Sequence, residues 1–90
     1  MNEQQLELFR VAGLRVFESN NTRFGLGVPA LCHAMAVFGF PSPDQEAVKD
    51  MVQYWLTREF LEEVQKHVSR ENRAWRITTK GLQFLDSGGV

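Results

Sequence analysis

The sequence has one cysteine, Cys32, two histidines and almost no net charge, with ten basic residues against eleven acidic ones. A single thiol excludes an internal disulfide framework and a thiolate cluster for zinc. The near balance of charge removes the simplest argument for nucleic acid, which is a strongly basic chain. Long apolar runs are missing too. The longest, around Val28 to Phe40, is broken by Pro29, His33 and Gly39 and is too short to span a bilayer. "MNEQQLELFR" has no basic stretch leading into an apolar core, so no secretion signal is expected. There is no Gly-rich phosphate loop, since "DSGGV" has no helix after it to supply amides. Cys32 and His33 are neighbours in sequence; on a helix their side chains diverge by about 100° and cannot form a nucleophile–base pair. The expectation is a non-enzymatic cytoplasmic protein that needs no cofactor or metal, with no evident small-molecule ligand and no membrane contact.

What is present is a globular composition. Hydrophobic residues make up 43% of the chain, aromatic ones 11% and charged ones 23%. Ninety residues fit one domain with a real but small core, and a domain of this size gains from oligomerisation.

Residues 3–18 have helical spacing, with Leu6, Phe9, Gly13 and Phe17 on one stripe and Leu8, Val11 and Leu14 partly off it. "SNNTRFGLG" ends that helix and supplies a short extended piece, Thr22 to Leu26. Pro29 fits a first helical position, and Ala30 to Phe38 follow as an apolar helix ended by Gly39. Being apolar nearly all round, this helix is expected to be buried on most sides. Next, Ser42 as N-cap, Pro43 at the first position and Gln45 at the third read as a capping box. That helix runs to about Arg58, with Val48, Met51, Val52, Trp55 and Leu56 as its buried stripe.

After Arg58, "EFLEEVQKHV" fits a helix extension through Leu61, Val64 and Val68, and equally a strand. "AWRIT" is a short β-branched and aromatic strand that needs a partner for its backbone groups, which favours a hairpin with Leu61–Val68. Thr78 then fits the N-cap of a closing helix in which Gly81 permits a close approach. Charge is segregated. Residues 41–65 carry Asp44, Glu46, Asp50, Glu59, Glu62 and Glu63 against Lys49 and Arg58; residues 66–80 carry Lys66, Arg70, Arg73, Arg76 and Lys80 against Glu71.

The fold class is therefore mainly α with a small β-hairpin. Helix, short strand, helix, turn, helix, two-stranded hairpin and short helix resembles, over essentially the whole chain, a winged helix-turn-helix domain of the bacterial and phage DNA-binding regulator type. The helix-turn-helix would span about 29–58, the wing about 61–78 and the closing helix about 79–87. The resemblance is carried by "FGFPSPDQEAVKDMVQYWLTREFLEEV" and "WRITTKGLQFL". In the second, Thr78, Lys80, Gly81, Phe84 and Leu85 match the T-x-K-G-x-x-F-L pattern that closes many such domains. The chain is also broadly similar to the small winged-helix proteins of Mu-like prophages. It departs from the pattern at Phe60, where many relatives have Gly, and on the third helix, whose outward positions include Glu46 and Asp50 and only one cation, Lys49.

The resemblance implies a small regulator that binds duplex DNA, with the third helix in the major groove and the wing on the backbone or in the minor groove. Arg70 and Arg73 at the hairpin tip would meet phosphates, with Lys66 and Arg76 nearby in the hairpin. Gln45, Lys49 and Gln53 would reach base edges. The rival is a protein-assembly module, a homodimer through the first two helices whose acidic helix and basic wing pair between subunits.

Overall fold

The computed structural model describes residues 2–21, 24–41, 43–64 and 73–88. Helix α1, Glu3–Ser19, starts on Asn2, whose side chain accepts from the Gln5 amide at 2.8 Å while the Gln5 side chain accepts from the Asn2 amide at 3.3 Å. This reciprocal box satisfies two of the N–H groups that any helix start leaves open. Phe9, Gly13, Leu14, Val16 and Phe17 form its buried side, and Leu8 is left 61% exposed. Strand β1 is only Leu26–Gly27. Of the expected extended piece, Thr22 and Arg23 lie outside the described residues.

Helix α2, Val28–Met35, begins one residue earlier than the sequence suggests, with Pro29 in its first turn, and tightens into a 3-10 turn at Ala36–Phe38. Gly39, at φ 92°, ends it: the Gly39 amide donates to Ala36 and the Phe40 amide to Met35. The expectation that this helix is buried on most sides is wrong. Only Leu31 and Met35 are buried, and Val37 is 84% exposed. In so small a domain α1 and α3 cover one side of α2, and nothing among the described residues covers the other.

Helix α3, Gln45–Thr57, is capped by Asp44, whose Oδ1 accepts from the Glu46 amide at 3.1 Å. The capping box expected from Ser42 to Gln45 would start the helix at Pro43; the helix instead begins at Gln45, with Asp44 as its N-cap. Ser42 itself lies outside the described residues. Asp44 has the extended backbone of an N-cap, φ −64° and ψ 132°, and its carboxylate is favoured at the positive end of the helix dipole. Val48, Met51, Val52 and Trp55 are buried, whereas Leu56 is only half-buried.

What stops α3 also decides between helix extension and strand. Glu59 sits in left-handed geometry at φ 65°, a conformation that a non-Gly residue adopts at a cost. The Glu59 amide donates to Leu56 and the Phe60 amide to Trp55, both at 3.0 Å. This is a Schellman motif, and its usual apolar contact is the stacking of Phe60 on Trp55, ring centroids 5.3 Å apart. The bulky residue at 60 is thus part of the cap, and the reversal is made one position earlier. Strand β2, Leu61–Val64, then pairs antiparallel with β3, Ala74–Ile77, in the register Leu61 opposite Ile77 and Glu63 opposite Trp75. Beyond Val64 the expected strand to Val68 lies outside the described residues. β1 pairs on the other side of β3, so the sheet order is β1-β3-β2. Helix α4, Thr79–Asp86, starts on Thr78, whose hydroxyl accepts from the Gly81 amide at 3.1 Å.

The fold is thus mainly helical with a small three-stranded antiparallel sheet. Its core is contiguous, running from Phe9, Leu14 and Phe17 of α1 through Leu31 and Met35 to Val48, Met51 and Trp55, and on to Leu61, Ile77 and Leu85. No charged side chain among the described residues is buried. A polar tie crosses it, Trp55 Nε1 donating to the Arg10 carbonyl at 2.9 Å.

Candidate functional site

Positions 45, 49 and 53 are four residues apart, so Gln45, Lys49 and Gln53 share one outward stripe of α3. In the hairpin, alternation puts Ile77, Trp75 and Arg73 on the side of the sheet that faces α3. The core fills the space under Ile77. Away from Ile77, along β3 toward Arg73, α3 and the sheet leave a groove of about 540 Å³. Val52, Leu56 and Trp75 line it, with Val28 and Pro29 of α2 at one end and Gln45, Lys49, Gln53 and Arg73 along it. The structure thus brings four of the expected contact residues together. Arg76 is not among them: it points from the other face of the sheet and pairs with Glu62. Lys66 and Arg70 lie outside the described residues.

The electrostatics of this face differ from what the list of cations suggests. Arg73 makes a two-pronged ion pair with Glu63, at 3.0 and 3.1 Å. Hydrogen bonding from Arg73, reinforced by its charge, holds the Glu63 carboxyl below its ordinary range against a small opposing effect of burial. The hydrogen bond to Glu63, with its charge, raises the Arg73 guanidinium in turn. Lys49 lies 3.9 Å from Glu46 and Lys80 3.5 Å from Glu59. Three residues of the acidic segment, Glu59, Glu62 and Glu63, thus meet Lys80, Arg76 and Arg73 of the basic segment across the strand pair and its flanks. These pairs are exposed, Arg73 by 60% of its side chain, so each contributes little to stability. Their effect is on potential: every cation described on this face carries its own counter-charge.

Trp55 and Trp75 are 3% and 7% exposed and belong to the core, so neither is a platform for stacking bases. Cys32 is half-buried on α2, and its thiol is pushed up, first by burial and then by the nearby charge of Asp44. That keeps it protonated and a poor nucleophile near neutral pH. Among the described residues no group of three or more His, Cys, Asp or Glu side chains is placed to hold a metal, and no helix is long and apolar enough to cross a membrane. Sequence reasoning passed over Arg10 and Arg58. Their guanidinium carbons lie 3.8 and 3.7 Å from the centre of the Tyr54 ring. The four-residue step from Tyr54 to Arg58 is a visible signal; the arrival of Arg10 from α1 has none. No family model matches the chain, and neither does any curated protein or solved structure.

Proposed function

We propose that the chain is a winged-helix assembly domain that pairs with a second copy of itself through the outward side of α2. The observation that carries this reading is the chemistry of that side. Residues 24–43 contain no Asp, Glu, Lys or Arg. Pro29, Ala30, His33, Ala36 and Val37 all stand exposed at helical spacing along α2 and its 3-10 extension. An uncharged, largely apolar strip on a chain that is 23% charged as a whole favours contact with another apolar surface over contact with water. A two-fold axis lays the same strip against itself, and a strip without formal charge meets no like charge there. The winged-helix part of the reading is supported by the helix-turn-helix of α2 and α3, the β2–β3 hairpin and the closing α4. Light scattering on the eluting protein tests it, with mass expected to rise from one chain toward two as concentration increases.

Duplex DNA binding is the second reading, favoured by the gathering of Gln45, Lys49, Gln53 and Arg73 along one groove. It has to overcome Glu46, Asp50 and Glu63 on the same face, which repel phosphates. An electrophoretic shift with random duplex across a salt series decides it. A shift at low salt that Lys49→Glu with Arg73→Glu abolishes would put DNA first. Absence of a shift at low salt removes it.

A further inference from the structure

Leu56 belongs by spacing to the buried stripe of α3, yet it is only half-buried, and so is Val28 at the start of α2. Both line the groove of about 540 Å³ between α3 and the sheet, together with Val52 and Trp75. A concavity of this kind has the form of a small-molecule site. Such sites occupy about 300–1,000 Å³ and combine apolar walls with a few polar groups that fix orientation. Gln45 and Gln53 also line it, and at two successive four-residue steps they stand about 12 Å apart along the axis of α3.

The charged groups lining the groove have one sign. Lys49 and Arg73 are there, and none of the described lining residues is acidic. Their counter-charges, Glu46 and Glu63, are not part of that lining. The pair with Glu63 uses Arg73 Nε and Nη2, at 3.0 and 3.1 Å. A guanidinium carries five N–H donors, so both Nη1 hydrogens and the second Nη2 hydrogen stay open to another acceptor. The two-pronged pair also fixes the plane in which they are offered. A carboxylate matches two such donors side by side. The four charges of the Lys49 and Arg73 pairs cancel, so one added negative charge meets less repulsion than two, which favours a carboxylate over a phosphate. Size matters as well. A duplex laid along the whole face meets Glu46, Asp50 and Glu63, whereas a molecule small enough to sit in the groove touches only its lining.

From this geometry we infer that the groove between α3 and β3 binds a small monocarboxylate with an apolar body. The carboxylate takes the Nη1–Nη2 edge of Arg73, and the body lies along Leu56, Trp75 and Val28. Lys49 adds attraction of the same sign. The groove shares only Pro29 with the strip proposed to pair through α2, so the inference does not rest on that pairing.

The test is a titration of the full chain with phenylbutyrate at low salt, followed by NMR at the two indole N–H groups. A saturable shift is expected at Trp75, which lines the groove, and none at Trp55, whose indole donates to Arg10 of α1. Arg73→Gln changes a side chain that is 60% exposed and leaves the core alone. It weakens binding about tenfold or more through loss of charge-assisted hydrogen bonds. Leu56→Glu, which sets a carboxylate into the groove wall, abolishes binding. Phenylbutanol binds more weakly than the acid, and phenylbutylamine more weakly still. The inference fails if phenylbutyrate gives no saturable shift at millimolar concentration, or if both indoles shift alike. It fails equally if Arg73→Gln or Leu56→Glu leaves the affinity unchanged, or if the amine binds as well as the acid.

Discussion

Two helical glycines make opposite predictions for the same substitution. By propensity alone, Gly→Ala inside a helix stabilises by about 1 kcal/mol. At Gly81 in α4, an added Cβ would stand 2.6 Å from the Phe60 carbonyl oxygen and 2.7 Å from Ile77 Cγ1. Ordinary C–H to O contacts lie at about 3.3–3.6 Å, so α4 would have to retreat by roughly 0.7 Å or more. That oxygen cannot give way. It accepts from the Thr78 amide at 3.0 Å, beside the bond from the Thr78 hydroxyl to Glu59 at 2.8 Å. Overpacking a fitted contact costs about 1–3 kcal/mol, and weakening the Thr78 cap adds to it. After the propensity gain, Gly81→Ala is expected to destabilise by roughly 1–2 kcal/mol, a fall of about 4–15 °C in Tm for a domain this size. At Gly13 in α1 the obstruction is the Sδ and Cε end of Met51, a flexible tip that can adopt another rotamer. Gly13→Ala is therefore expected to stay within about 1 kcal/mol of the parent, as repacking and propensity oppose each other. Thermal and urea unfolding followed by circular dichroism measure both. A Gly81→Ala protein as stable as the parent, or a Gly13→Ala protein less stable than Gly81→Ala, would refute the reasoning.

Other expectations follow from single contacts. Glu59→Gly should stabilise by about 0.5–1 kcal/mol in urea unfolding, because a left-handed residue is relieved at the expense only of an exposed pair with Lys80. Glu63, held low by Arg73, gives stability that is present above the ordinary carboxylate range and lost as pH falls through its lowered pKa. An NMR titration of Arg73→Ala should show the Glu63 carboxyl returning upward, and an unmoved titration would contradict the pairing. Cys32, raised by burial, should be alkylated more slowly than a free thiol at mildly alkaline pH, with the gap closing as pH rises.

Where local chemistry decides the outcome, the sequence was readable. Thr78 before a helix and a β-branched strand needing a partner pointed to the β3–α4 junction and to β2. The stripe of Gln45, Lys49 and Gln53 followed from period alone. What was not readable depends on where other elements arrive. Ser and Asp are both residue types that cap well, and capping preference alone does not say which of two nearby candidates starts a helix; this one starts after Asp44. An apolar helix signals contact but not with what, so α2 read as buried although its outer side is bare. The charge segregation was visible, but its resolution into Glu62–Arg76 and Glu63–Arg73 required the strand register. The pairing of Arg10 with Arg58 across Tyr54 depends on the crossing of α1 and α3, which no local pattern encodes.

Pairing through α2 is tested most directly by sedimentation velocity on the parent and Val37→Glu over a common concentration range. Val37 is 84% exposed, so a carboxylate there leaves the fold intact and places two like charges across a two-fold contact. The parent is expected to move from monomer toward dimer as concentration rises while Val37→Glu stays monomeric. A parent that remains monomeric throughout, or a Val37→Glu protein that dimerises equally well, would contradict it.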